Sequence, residues 1–266
     1  MKRKHLALWL AAGVVVSGPF GPQLAVAAER EAAAVTATQW RTLTREAIAE
    51  ATATAIARLE QTKLQEWAFC LASAENEEGE LTSSTECFDP SLPADQQWQL
   101  RLSNGQKPTA QQQRQFLTAK QKQAKKGKSF NLTLKLSRVV VLDSVQFVRE
   151  DATSWYGRFD VAIAKLGDKA SKQLQGELRF NKAGHFIDRI DIRQRGPFSV
   201  MWGSEIQRFE LSIAFIQLGD AILQQQQEMK MQGTFAFVTP IDEVSSDVFS
   251  DFRYIGSVGK ITVGSE

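Results

Sequence analysis

Leu174-Gln175-Gly176-Glu177-Leu178-Arg179-Phe180, followed by Asn181-Lys182-Ala183-Gly184, is the stretch that decides the fold class. In an extended chain Leu174, Leu178 and Phe180 share one side, and Gln173, Gln175, Glu177 and Arg179 share the other. The Asn-Lys-Ala-Gly segment then turns the chain back. A strand with one dry and one wet side belongs to an antiparallel sheet that buries a single face.

The same period of two recurs outward from this hairpin. Upstream, Phe130, Leu132, Leu134 and Leu136 alternate with Asn131, Thr133 and Lys135, and Trp155, Phe159, Val161 and Ile163 with Arg158 and Asp160. Downstream come Phe209, Leu211, Ile213 and Phe215, then Met229, Met231, Phe235 and Phe237, then Phe252-Arg253-Tyr254 and Ile261-Thr262-Val263. Adding Trp98 to Leu102 and an early hairpin, the pattern predicts about eight to ten strands with tight, antiparallel connections.

That early hairpin contains both cysteines. Trp67 to Ala74 and Leu81 to Phe88 read as strands around a Glu78-Gly79 turn. Pairing Glu77 with Glu80 sets Cys70 opposite Cys87 at a non-hydrogen-bonded position, where Cα atoms about 4.5 Å apart lie within disulfide reach. A structural disulfide is expected. Nothing resembles the close CxxC spacing of a redox pair.

Two helices are predicted. Trp40, Leu43, Ala47, Ile48, Ala51, Ala55, Ile56 and Leu59 recur at helical spacing within 37–60. Thr109 to Gln112 matches a capping box behind Pro108, which opens a helix over 109–126. Its last turns gather Lys120, Lys122, Lys125, Lys126 and Lys128, read as a solvated end complementing the helix dipole. Two helices cannot coat a flat sheet of this width. The expected fold is therefore α+β and mostly antiparallel β: a strongly curved sheet or incomplete barrel with the N-terminal and inserted helices on its concave face.

Residues 1–28 have the form of a secretory signal peptide: Lys2-Arg3-Lys4, an apolar run from Leu6 to Val16, and Ala25-Val26-Ala27 as the cleavage site. Cleavage is expected near Ala27 or Ala28, and the compartment is expected to be the periplasm or beyond. The segment holds three basic residues and no acid, so 29 of the 32 Lys and Arg face 30 Asp and Glu in the remainder. A near-neutral chain lacks the electrostatic footprint of a nucleic-acid binder. No later apolar run reaches the length of a membrane helix. Residues 29–266 are read as one domain: helix 37–60, disulfide hairpin 65–89, helix 109–126 and main sheet 129–263.

Phe88-Asp89-Pro90, Trp98-Gln99-Leu100, Asn104-Gly105 and Pro108-Thr109 resemble an F-D-P, W-x-L, N-G, P-T element of secreted Gram-negative proteins that mostly lack an assigned function. Leu174 to Phe180, the Ala183-Gly184 turn and Ile187-Asp188-Arg189-Ile190 are similar to hairpins of the periplasmic outer-membrane lipoprotein carrier superfamily. That resemblance implies a curved antiparallel sheet with helices on its concave face and lipid-like cargo held there.

Catalytic inventory is thin. Of two histidines, His5 lies in the signal segment and His185 stands alone beside a turn glycine. Ser257-Val-Gly-Lys260 matches SxxK only formally, in a glycine-punctuated stretch where the motif needs a helix. Asp188 and Asp191 fall on opposite faces of one strand. Asp242, Glu243, Asp247 and Asp251 are read as a solvated loop after Pro240, spaced for calcium only if helical. The sequon at Asn131 lies within a predicted strand. Two tyrosines and a Gly-Ser-Glu C-terminus argue against an outer-membrane barrel.

The expectation is a non-enzymatic carrier, without cofactor or metal, for a lipid-like or other apolar ligand. Trp155, Phe159, Val161, Leu178, Phe180, Phe209, Phe215, Met231 and Phe235 would line its interior. The rival expectation is a filled core whose outer surface docks an envelope protein through the Lys120 to Lys128 cluster.

Overall fold

The computed structural model describes residues 44–125, 135–164, 166–200, 202–236 and 238–256. The signal segment, the first turns of the predicted N-terminal helix, the sequon, Lys126, Lys128 and the SxxK stretch lie outside them. Among the described residues no helix is long and apolar enough to cross a membrane.

Ten antiparallel strands form one open sheet. In chain order they are β1 (Trp67–Glu77), β2 (Glu80–Phe88), β3 (Trp98–Ser103), β4 (Gln146–Glu150), β5 (Ser154–Asp160), β6 (Leu174–Asn181), β7 (Phe186–Gln194), β8 (Glu205–Leu218), β9 (Ala221–Phe235) and β10 (Thr239–Tyr254). Their order across the sheet is β3-β2-β1-β10-β9-β8-β7-β6-β5-β4. Every neighbour is also a neighbour in sequence except β1 and β10, whose pairing joins the early hairpin to the rest. The hairpin thus lies inside the sheet rather than ahead of it.

Cys70 faces Cys87 in the predicted register, with Glu77 opposite Glu80, and the two sulfurs are bonded across a Cα separation of 4.0 Å. Glu78 and Gly79 both take positive φ, 53° and 91°, which is the geometry of the tight turn that suits the twist of two flanking strands.

Helix α1 (Arg45–Gln61) buries Ile48, Thr52, Ala55, Ile56 and Leu59 and touches β4, β7 and β9. It is tied along its length. Thr44 caps its first turn, Arg45 donates to the Asp143 carbonyl, Arg58 donates to the Gly184 carbonyl at 2.8 Å, and the Thr62 hydroxyl accepts from the Ile222 amide. Helix α2 (Ala110–Lys125) opens on the predicted capping box: the Gln112 amide donates to Thr109 Oγ1, and the Thr109 amide donates to Gln112 Oε1 at 2.8 Å. A short helix α3 (Gly167–Ser171) links β5 to β6.

Three expectations are corrected. Leu136 is fully buried but sits in a 3-10 turn, Leu136–Arg138, where it packs under α1 instead of continuing a strand. The stretch from Pro240 to Asp251 is the long strand β10, not a loop, because each side of it has a strand to pair with. Lys120 is not solvated: its ammonium lies 2.6 Å from the Glu86 carboxylate and over the Trp98 ring at 3.8 Å.

Close packing of the β5–β6 ladder depends on a missing side chain. Phe159 stands directly opposite Gly176, and a Cβ on Gly176 would fall 2.1 Å from Phe159 Cζ. The ring occupies that space.

Two measurements follow from this packing and from the disulfide. Phe159→Ala is expected to cost about 3–5 kcal/mol and Gly176→Ala about 1–3 kcal/mol, with the second cost shrinking in a Phe159→Leu background; denaturant melts of the set give all three. Replacing Cys70 and Cys87 together by Ser should lower stability by about 3 kcal/mol, read as a fall in Tm.

Candidate functional site

The register assigns each inward-pointing side chain to one face, and that face is divided into three zones. The first is apolar. Trp155, Phe159, Val161, Leu178, Phe180, Phe209 and Phe215 are all buried in one cluster with α1, and Trp155 stacks on Phe180 at 4.9 Å. Met231 packs against the margin of this cluster. Phe235 does not join it. Its position lies at the far end of β9, and the side chain is 42% exposed.

The third zone, on the other side of β10, is aromatic. Phe69, Leu71, Phe88 and Phe249 are buried together, with Trp98 and Phe252 packed against them. Phe69 lies 5.6 Å from Phe249 and 5.7 Å from Phe88, and Phe116 of α2 meets Trp98 edge-on at 6.4 Å. The Lys120 to Glu86 pair closes this zone under α2.

Between them runs a polar seam on β9, β10 and β1. Gln227 stands opposite Asp247 on one side and Ile213 on the other. Ser245 stands between Met229 and Glu75. Beyond a register shift in β8 and β9, Gln224 faces Phe215. Ser73 donates to Asp247 at 2.7 Å. Gln224, Gln227 and Ser245 are 7%, 1% and 2% exposed, yet both amide atoms of Gln224, Oε1 of Gln227 and Oγ of Ser245 have no hydrogen-bond partner. Each such atom costs about 1–3 kcal/mol of unrecovered desolvation. The seam gathers four such atoms on three side chains of two neighbouring strands.

The seam opens at one end on acids. Glu243 on β10 stands opposite Glu77, which itself stands opposite Glu80, and Glu75 lies one step further in. Like charges directly across a ladder repel. Burial first, and then the charges of Glu77, Glu75 and Glu78, push the Glu243 carboxyl up to about 7, and burial raises Glu75 as well. The register puts no Lys or Arg of these strands on this face: Arg208, Lys230 and Arg253 point to the other one.

Sequence reasoning found the apolar zone and missed the other two. Among the described residues, no group of three or more His, Cys, Asp or Glu side chains is arranged to hold a metal ion. His185 is exposed in the β6–β7 turn with φ 51°. On the opposite face of the sheet, Cys70, Cys87, Gln99, Arg101 and Arg253 line an open depression of about 340 Å³.

Glu243 makes stability depend on pH in a defined direction. Because its folded pKa is raised, the neutral form is favoured by folding, so its effect is absent at acid pH. Stability falls as pH rises from the unfolded carboxyl value toward about 7, and stays lower above it. Glu243→Gln should therefore stabilise the protein at pH 8 and leave it unchanged near pH 4, measured by denaturant melts across that range.

No protein-family model matches this sequence, and no curated protein matches it. Among solved structures the chain is similar to the crystal structure of a DUF1329 family protein from Desulfovibrio piger, at 8% sequence identity and a TM-score of 0.31, over 80% of this chain and 94% of that one.

Proposed function

We propose that this is a periplasmic binding or carrier protein whose ligand is an amphiphile, held on the helix-bearing face of the sheet. The observation that carries the reading is a trio of buried side chains with unpartnered polar atoms, Gln224, Gln227 and Ser245, set between two apolar zones. Buried polar groups are ordinarily satisfied, and a ligand with a polar end and an apolar tail satisfies both halves of such a site. In this reading the sheet curves around α1, which reaches β4, β7 and β9 at once, so that the helices lie on a concave side. Secretion through the N-terminal signal and the Cys70–Cys87 bond both suit an oxidising envelope compartment.

The apolar residues nearest the seam then serve as the wall for the tail. Phe215 and Phe209 on β8 and Met231 on β9 border it, and methionine is suited to adaptable contacts. Trp155, Phe159, Leu178, Phe180 and Val161 are further away and act as the support under α1.

A second reading, docking of an envelope protein, draws on a different place. Trp202 is 90% exposed and Val238 is 82% exposed, both at the end of the sheet where Phe235 also emerges. Exposed apolar groups gathered at one end are a feature of contact surfaces.

The neutral probe N-phenyl-1-naphthylamine and native mass spectrometry of protein purified from the periplasm separate the two. The carrier reading expects saturable fluorescence with Kd of about micromolar order and a co-purified amphiphile. Absence of both, with a crosslinked envelope partner lost on Trp202→Ala, would hand the function to docking.

A further inference from the structure

We propose that the polar end of the ligand is a protonated primary amine, seated in the seam between β9, β10 and β1 by Ser245, Gln227, Glu75 and Glu243. This rests on the carrier reading and adds the chemistry of the headgroup.

The groups that lack partners are mainly acceptors or can act as acceptors. Gln227 Oε1 can only accept, Ser245 Oγ can accept, and one of the two free atoms of Gln224 is a carbonyl oxygen. What completes the two amide oxygens must donate, and Ser245 Oγ can accept from the same group, while Gln224 Nε2, a donor, stands outside the proposed seat. Charge points the same way. Glu75 lies directly across from Ser245, Glu243 is two residues along the same strand, and Glu77 and Glu80 extend the row at the open end. With no Lys or Arg of β9, β10 or β1 on the face, and with Lys120 of α2 held by Glu86, an ammonium would relieve the repulsion among these acids.

Geometry separates an organic cation from a metal. A metal needs carboxylates converging on one point at bonding distance, and the described acids show no such group. A primary ammonium takes hydroxyl, amide and carboxylate oxygens alike as acceptors, and the register sets one of each, on Ser245, Gln227 and Glu75, on adjacent strands of the same face. Beside it Met229 is buried and Met231 half-buried, and Phe209 and Phe215 continue the same face, giving the tail an apolar wall.

Ionisation of Glu243 is then coupled to binding. It faces Glu77 and Glu75 on β1, with Glu78 at the turn, Glu80 beyond on β2, Asp247 on its own strand, and only Met231 and Met229 from β9. An ammonium favours the ionised carboxylate, so affinity rises with pH while the amine stays charged.

The experiment measures displacement of N-phenyl-1-naphthylamine from the intact protein by dodecylamine, dodecyltrimethylammonium and laurate. Dodecylamine is expected to bind about tenfold or more tightly than either analogue, since one lacks N–H donors and the other has the wrong charge. Its affinity should increase between about pH 6 and pH 8, and Glu243→Gln should abolish that increase. Ser245→Ala and Gln227→Leu should each weaken dodecylamine about tenfold while the neutral probe binds as before. Laurate or the trimethylammonium compound binding as well as dodecylamine, or a pH profile unchanged by Glu243→Gln, would overturn the amine assignment and leave the carrier reading standing. Failure of the neutral probe and of all three amphiphiles to bind would overturn both.

Discussion

Covering one face of a ten-stranded sheet is the constraint from which the rest of this structure follows. Each strand that buries side chains does so toward the same side, and the apolar area on that side must be shielded from water if the sheet is to exist. The protein meets this unevenly. Helix α1, of 17 residues, lies against β4, β7 and β9 and is fastened to a turn, a strand start and the 3-10 turn at Leu136–Arg138. Helix α2 shields β3 and β2 at the opposite margin, where a lysine and a glutamate meet under an aromatic ring. Between the two helices lie β10 and β1, whose inward side chains beside β9 are polar.

Most of the architecture was readable because hydrophobic period and turn chemistry agree in the strands that have an apolar side. The facing cysteines followed from two-residue turn geometry alone, and the capping box at Thr109 followed from side-chain reach. The reading failed at β10 for a related reason. Ser245 and Asp247 point inward where an ordinary strand has Val or Ile, and with Pro240, Asp242 and Glu243 nearby the segment has the composition of a loop. The Gln224 to Gln227 run disguises β9 in the same way. Period-two analysis detects a strand by its dry side, so a strand whose buried side is polar leaves no trace. Leu136 failed in the opposite sense: an alternating run announced a strand, and a tertiary pocket under α1 took the residue into a turn.

The candidate site was illegible for that same physical reason. Residues chosen by apolar alternation are the ones that close-pack, as Phe159 over Gly176 and Trp155 against Phe180 do. The seam is made of buried polar side chains, and these break the pattern used to find strands. Only the pairing of β9, β10 and β1, residues brought from distant parts of the chain, assembles Gln227, Ser245 and Glu75 on one surface.

Among the described strands, the junction between β1 and β10 is the pairing that joins distant parts of the chain. Strands β4 to β10 pair with their successors in sequence, and β1 to β3 do likewise, so each group forms through short loop closures. Bringing Cys70 beside Ser250 closes a far longer loop, whose entropic cost must be met in one step. The Cys70–Cys87 bond ties the two strands of the hairpin to each other beside the edge that pairs with β10. The disulfide therefore acts on the edge that β10 meets as well as on the hairpin itself: it covalently fixes the register of the two strands that carry that edge.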